Sequence, residues 1–152
     1  MALFRASDAI SGGEGKAYIV IDGQQKELFY ATNIEVTADK NKENFKVIGQ
    51  RNSFSKTTGV EITGSMTIQY MTSLFRKQMQ QYVNDGVDMN FDLIVTNEDK
   101  ASRTGRQTVA VYGCNLNSVI LAKLDADNAI LDEDVDFTAD SFAILNEFNE
   151  IV

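Results

Sequence analysis

The 152-residue chain contains no histidine, no proline and no tryptophan, and its one cysteine is Cys114. Each absence removes a class of function. Without histidine the chain lacks the side chain that most often serves as general base or zinc ligand near neutral pH. With only one thiol besides, Cys/His or Ser/His catalysis and thiolate–imidazole metal sites are excluded. A lone cysteine cannot close an internal disulfide, which agrees with a reducing compartment, and Cys114 reads as a small core hydrophobe at the end of a strand. Proline commonly blunts the edge strands of β-proteins. Its absence from a strand-rich chain is either chance or the mark of edges that pair with neighbouring copies. Apolar runs such as Val119–Ala122 are far shorter than a bilayer requires, so no membrane partner is expected. The opening Met1-Ala-Leu-Phe-Arg-Ala-Ser-Asp8 lacks the basic-then-apolar order of a secretory signal, and synthesis in the cytoplasm is expected.

Charge is plentiful but unevenly spread. The formal net charge is −8, from 14 basic and 22 acidic side chains. Every base lies within residues 1–123, whereas residues 124–152 hold nine acids and no base. Gripping nucleic acid needs a basic patch that displaces counterions from phosphates. The balance here is the opposite, so no tight nucleic-acid binding is expected.

Length and composition suit a single domain over residues 1–152. Ser11-Gly-Gly-Glu-Gly15 marks residues 1–15 as a flexible N-terminal arm. Ala17 to Ile21, Asp22-Gly23 and Glu27 onward read as a hairpin, since Asp-Gly favours turns that match strand twist. A long alternation follows, with Leu28, Tyr30, Thr32, Ile34, Val36 and Ala38 on one face and Phe29, Ala31, Asn33, Glu35, Thr37 and Asp39 on the other. The pattern resumes at Phe45, Val47 and Ile48 and stops at Gly49. Gln50-Arg-Asn-Ser-Phe-Ser-Lys-Thr-Thr-Gly59 reads as a polar loop. A second alternation sets Val60, Ile62, Met66, Ile68 and Tyr70 against Glu61, Thr63, Ser65, Thr67 and Gln69.

Ser73 can cap a helix whose stripe is Leu74, Phe75, Met79, Tyr82 and Val83, and Asn84-Asp85-Gly86 ends it. Strands are expected at Met89–Thr96, Thr108–Cys114 and Leu116–Ala122, with a charged loop through Arg106. Val135, Phe137, Phe142, Ile144 and Leu145 anchor the acidic final stretch. The fold class is mainly β, a β-sandwich or barrel with one α-helix on its flank.

No motif for chemistry holds up. Asp125-Ala-Asp127-Asn128 starts like a calcium loop, but Ala129 and Ile130 stand where an oxygen ligand and glycine are needed. Gly12-Gly-Glu-Gly-Lys16 resembles a phosphate loop, yet Ile10 and Ala17 occupy the required glycine and Ser/Thr positions. The carboxylate pairs Asp132/Asp134 and Glu133/Asp140 have no pocket around them to support acid–base work. No enzyme, cofactor or metal is expected.

Three stretches carry a family resemblance. Ile10-Ser-Gly-Gly-Glu-Gly-Lys16 resembles the opening of the tail tube proteins of contractile phage tails, including those of PBSX-type defective prophages and R-type bacteriocins. Lys56-Thr-Thr-Gly-Val-Glu-Ile-Thr-Gly-Ser-Met-Thr67 is similar to that family's central loop and strand. Leu124-Asp-Ala-Asp127 and Leu131-Asp-Glu-Asp-Val-Asp-Phe-Thr138 resemble its acidic C-terminal part. The resemblance implies hexameric rings stacked into a hollow tube inside a sheath. Long strands would line the lumen with a polar, mostly uncharged face: Asn33, Glu35, Thr37, Asp39, Glu61, Thr63, Ser65, Thr67 and Gln69. An extended inter-ring loop at residues 50–58 would supply the contacts Gln50, Arg51, Asn52, Ser53, Phe54, Ser55, Lys56 and Thr57, with Phe54 as anchor. The implied partners are further copies of the chain, the tail sheath protein, the tape-measure protein and the baseplate. The implied location is the bacterial host cytoplasm first and the extracellular particle later. A type VI secretion or flexible-tail tube protein is the nearest alternative, and a soluble ligand-binding β-barrel is the alternative of another class.

Overall fold

In the computed structural model, residues 3, 5–28 and 30–150 are described. The strands are β1 (Gly15–Ile21), β2 (Gln24–Glu27), β3 (Ala31–Lys46), β4 (Ser53–Gln69), β5 (Phe91–Glu98), β6 (Arg106–Ser118), β7 (Asp132–Ala139) and β8 (Ser141–Asn146), with helix α1 (Leu74–Asp85) after β4. They pair in the order β2-β1-β5-β6-β7-β4-β3, every pairing antiparallel, and β8 also lies along β6.

β6 belongs to both halves of this order. Its first part pairs with β5 and β8, and Asn115–Ser118 pair with β7. The change of partner falls at Gly113, whose φ is 66° and whose N–H donates to Asp92 Oδ1 at 3.1 Å. A Cβ there would meet the Asp140 carboxylate at 2.3 Å, so another residue would have to displace that side chain besides adopting a backbone conformation that favours glycine.

The core explains why the sheet folds over onto itself. Ile19 and Ile21 of β1, Leu93 of β5 and Val111 and Cys114 of β6 join Ile62, Met66 and Ile68 of β4 and Val135 and Phe137 of β7 in one cluster. Phe91 ties the layers together: its ring lies 6.0 Å from Phe75 of α1 and 5.8 Å from Phe137. Gly64 makes room for that contact, because a Cβ would sit 2.4 Å from the Phe137 ring. Fully burying a side chain of this kind contributes about 1.5–3 kcal/mol, so this cluster rather than the exposed outer strands holds the fold.

The Asp22-Gly23 turn, the helix end at Gly86 and the apolar face of β4 from Ile62 to Ile68 form as the sequence predicts, whereas Val60, expected on that face, is exposed. Several expectations are corrected. Residues 53–59 are strand, not loop, and the turn between β3 and β4 is confined to 47–52. β3 is unbroken from Ala31 to Lys46; the polar run Lys40-Asn-Lys-Glu-Asn44 hides its middle in the sequence, and at the register shift between Asn41 and Lys42 the extra residue, Thr58, belongs to β4. β6 is one strand, not two. On α1, Tyr82 and Val83 are exposed while Gln78 is buried, so the helix packs on a narrower stripe than expected. Ser73 makes no capping bond; the Leu74 N–H donates to Thr72 Oγ1 at 3.3 Å.

In the expected N-terminal arm, a 3-10 turn at Ala6–Asp8 puts Asp8 in a buried ion pair with Arg103, Nη2 to Oδ2 2.7 Å. Residues 1, 2 and 4 of that arm lie outside the described residues. In the acidic final stretch Val135 and Phe137 are fully buried, whereas Phe142, Ile144 and Leu145 of edge strand β8 remain about half exposed.

Candidate assembly surface

The polar residues read from β3 and β4 form one face, because directly opposed antiparallel residues point the same way. Asn33 opposes Thr67, Glu35 opposes Ser65, Thr37 opposes Thr63 and Asp39 opposes Glu61. Gln69, which closes β4, lies opposite Asp132 of β7. Behind this face, Ile62, Met66 and Ile68 point into the core.

Sequence reasoning missed one strand of the face. β7 continues it with Asp134 opposite Thr67, Asp136 opposite Ser65 and Thr138 opposite Thr63. Thr67 Oγ1 donates to Asp134 Oδ1 at 2.7 Å. The signal was present in Asp134-Val-Asp-Phe-Thr138, a strict alternation whose apolar members are buried. Adding β7 corrects the expected charge as well. Glu35, Asp39, Glu61, Asp132, Asp134 and Asp136 share the face with no base among its members on the three strands, so it is acidic rather than mostly uncharged. Asp39 opposite Glu61 is a like-charge cross-strand pair, which weakens the ladder locally.

The second feature is an arm. β7 accompanies β4 only as far as the Ile62–Ala139 pair; from there to the turn, β3 and β4 have only each other. Gln50, Arg51 and Asn52 lie at the tip, while Ser53, Phe54, Ser55, Lys56 and Thr57 lie on the ribbon, all exposed. Ser55 Oγ donates to Asn44 Oδ1 at 2.6 Å, and Phe54 stacks on Phe45 with ring centroids 5.7 Å apart. Phe54 thus folds onto its own hairpin, yet 40% of it stays exposed, next to a fully exposed Ile48. Residues 40–60 carry five bases (Lys40, Lys42, Lys46, Arg51, Lys56) against Glu43, so the rest of the molecule is more acidic than the chain as a whole. A lone two-stranded ribbon is only marginally stable in water.

The third feature is a set of open edges. Among the described residues β3 pairs with β4 alone, β2 with β1 alone and β8 with β6 alone, and beyond Cys114 no strand lies on the β5 side of β6. None of them is blunted by proline.

Among the described residues, no three His, Cys, Asp or Glu side chains converge as metal ligands, and no helix is long and apolar enough to cross a membrane. Burial pushes the Cys114 thiol up to about 12, which leaves it an inert core residue at neutral pH.

A polar sheet face, open strand edges and a protruding ribbon are features of a structural domain rather than of a catalytic one. Over residues 2–146 the chain matches the family described as phage tail tube protein. It is 35% identical over 150 residues to the phage-like element PBSX protein XkdM of Bacillus subtilis (strain 168), covering 99% of each. It shares its fold with a chain of the anti-feeding prophage baseplate, with a TM-score of 0.68 at 10% identity, covering 90% of this chain and 95% of that one. A chain of an extracellular contractile injection system, in its extended sheath–tube complex, gives a TM-score of 0.61 at 13% identity, covering 85% and 87%. The chain belongs to the phage tail tube protein family, and its role is structural, as a component of a phage tail.

Proposed function

We propose that the chain is the repeating subunit of an inner tail tube, closed into hexameric rings that stack along an axis. The β3–β4–β7 face would line the bore, and the free edge of β3 and the free end of β6 would join neighbouring copies into a continuous wall. The arm of residues 40–60 would reach the next ring, its basic charge meeting the acidic body of the following subunits. Such axial contacts are heterologous and can repeat without limit. The sheath protein, a tape-measure protein and a baseplate are the further partners. Synthesis would take place in the bacterial host cytoplasm, before incorporation into the particle. No catalysis is assigned to the chain.

The observation that carries this reading is the arm: a ribbon with exposed Phe45, Ile48, Phe54 and Val60, beside which no third strand lies among the described residues. Negative-stain microscopy of the purified protein, alone and seeded with baseplates, is expected to show rings and tubes. Deleting residues 51–57 should leave folded subunits that close rings but do not elongate. Monomer at every concentration, with no seeded tubes, contradicts the tube; long tubes from the deletion variant contradict the role of the arm.

A further inference from the structure

The connection from β6 to β7 runs through residues 119–131 without helix or strand. Connections of that length are uncommon in a compact domain and, where they are held in place, usually functional. This one is held. Arg76 Nη1 donates to the Ile120 carbonyl oxygen at 3.4 Å, and the Tyr70 N–H donates to the Leu131 carbonyl oxygen at 3.0 Å. Between these ends the Asp125 carboxylate accepts from the Asp127 N–H at 3.1 Å and from Asn128 Nδ2 at 2.7 Å. Lys123 Nζ donates to the Asp132 carbonyl oxygen at 2.8 Å. Polar groups thus tie the connection down, while its large apolar side chains face water: Leu121, Leu124 and Ile130 are 71%, 99% and 74% exposed. Three such side chains displayed on one tethered segment mark an interaction surface.

Its place in the fold says what covers it. β7 begins at Asp132, opposite Gln69, the last residue of β4, whereas the arm springs from the other end of β4. β4 is 17 residues long, so the connection and the tip of the arm lie roughly 50 Å apart along one strand. The arm of the same subunit therefore points away from it. A contact between the two needs a second copy, and joined head to tail it repeats without limit.

The two surfaces also match in chemistry. The arm shows Phe45, Ile48 and Phe54 to solvent among five bases and one acid. The connection shows its apolar side chains beside the exposed Asp125 and Asp127, and its one base, Lys123, is already engaged by Asp132. Another recess at that end of the sheet, lined by Ser11, Glu14, Lys16 and Asn33, is a poorer seat. Its apolar members Leu28, Ile34 and Val95 already pack into the core.

We infer that residues 119–131 are the seat for the arm of a subunit in the adjacent ring, with Leu121, Leu124 and Ile130 against Ile48 and Phe54, and Asp127 facing the arm's bases. The inference rests on the tube reading and deepens it, by naming the surface that the arm meets.

Leu124 is exposed in the free subunit, so Leu124→Asp is expected to leave the melting temperature and ring closure unchanged. Its critical concentration for tubes should rise about tenfold or more. Tubes from this variant at the wild-type concentration overturn the inference and leave the tube reading intact. Absence of rings and tubes from the wild type overturns both. A second measurement places the arm directly. Ile48→Cys is combined with Leu124→Cys and, separately, with Glu14→Cys at the rival recess, and the assembled tubes are oxidised. The first combination is expected to give a ladder of covalent multimers, each subunit linked to one above and one below. Cys114 is buried and does not compete. A ladder from the Glu14→Cys combination in its place, or covalent dimers only, rejects residues 119–131 as the seat of the adjacent ring's arm.

Discussion

At the scale of single residues, the costliest group in the molecule is Glu133. It faces the core from β7 at 1% exposure, bound to Arg76 Nη1 at 2.8 Å, with its other oxygen unpartnered. Burial pushes its carboxyl above the usual range, and Arg76 only partly opposes this. Arg76 in turn sits 4.6 Å over the Tyr70 ring and donates to the carbonyl oxygens of Thr72 and Ile120. Removing one member strands the other. Arg76→Met is expected to cost about 3–5 kcal/mol in urea unfolding at neutral pH, and Arg76→Met/Glu133→Leu to recover most of it. The single variant should gain stability on acidification, because a carboxyl raised in the folded state is favoured once protonated. A loss under about 1 kcal/mol in the single variant would show that the pair does not hold α1 to β7.

Asp8 behaves in the opposite way. Hydrogen bonding from Arg103 holds its carboxyl down at about 2, below its ordinary 3.8. Its stabilisation is complete above the ordinary value and disappears as pH falls through about 2. Asp8→Asn should therefore be less stable than wild type at neutral pH, with the gap closing between about pH 4 and pH 2. A gap that persists unchanged to pH 2 would mean the ion pair contributes nothing to the difference.

At the scale of elements, the arm and the core cluster are separate systems. Phe45 and Phe54 stack far out on a ribbon with no third strand, so Phe54→Ser should barely move the melting temperature of the free subunit while slowing tube elongation several-fold; aromatic pairs contribute about 0.5–1.5 kcal/mol beyond burial. Equal elongation by the variant would leave Phe54 without a role in stacking. The arm also shows where sequence reading stops. Alternation located β4 from Val60 to Gln69, because there one face is buried and the other is wet. Beyond Val60 both faces are wet, the hydrophobic signal vanishes, and a backbone ladder continues that no side-chain pattern reports. All nine polar-face residues on β3 and β4 were legible because each strand carries its own alternation. Asp134 and Asp136 joined them only through pairing with partners roughly 70 positions away, as Thr67 to Asp134 illustrates at a separation of 67. Gln78 was hidden for another reason: a glutamine in a helix reads as surface, and its burial depends on where the neighbouring strands end.

At the scale of the whole molecule, charge is sorted by region: a basic arm, an acidic body and a row of six carboxylates on the β3–β4–β7 face. Phosphates find no counterion-releasing patch on such a face, so tubes are expected to leave duplex DNA unshifted in a gel near physiological salt. Thr63→Lys/Thr67→Lys tubes should retain it, with binding that weakens as salt rises. Tight, salt-sensitive binding by the wild type would show that the face does not line the bore. If that row lines a bore as proposed, it would set what fills the tube at rest. Carboxylates repeated around a closed wall draw in small cations and expel chloride, over a layer about 8 Å deep at physiological ionic strength and about 30 Å at 0.01 M. A tube of this protein bridging two compartments would conduct as a cation-selective wire in dilute electrolyte and lose that preference in concentrated salt.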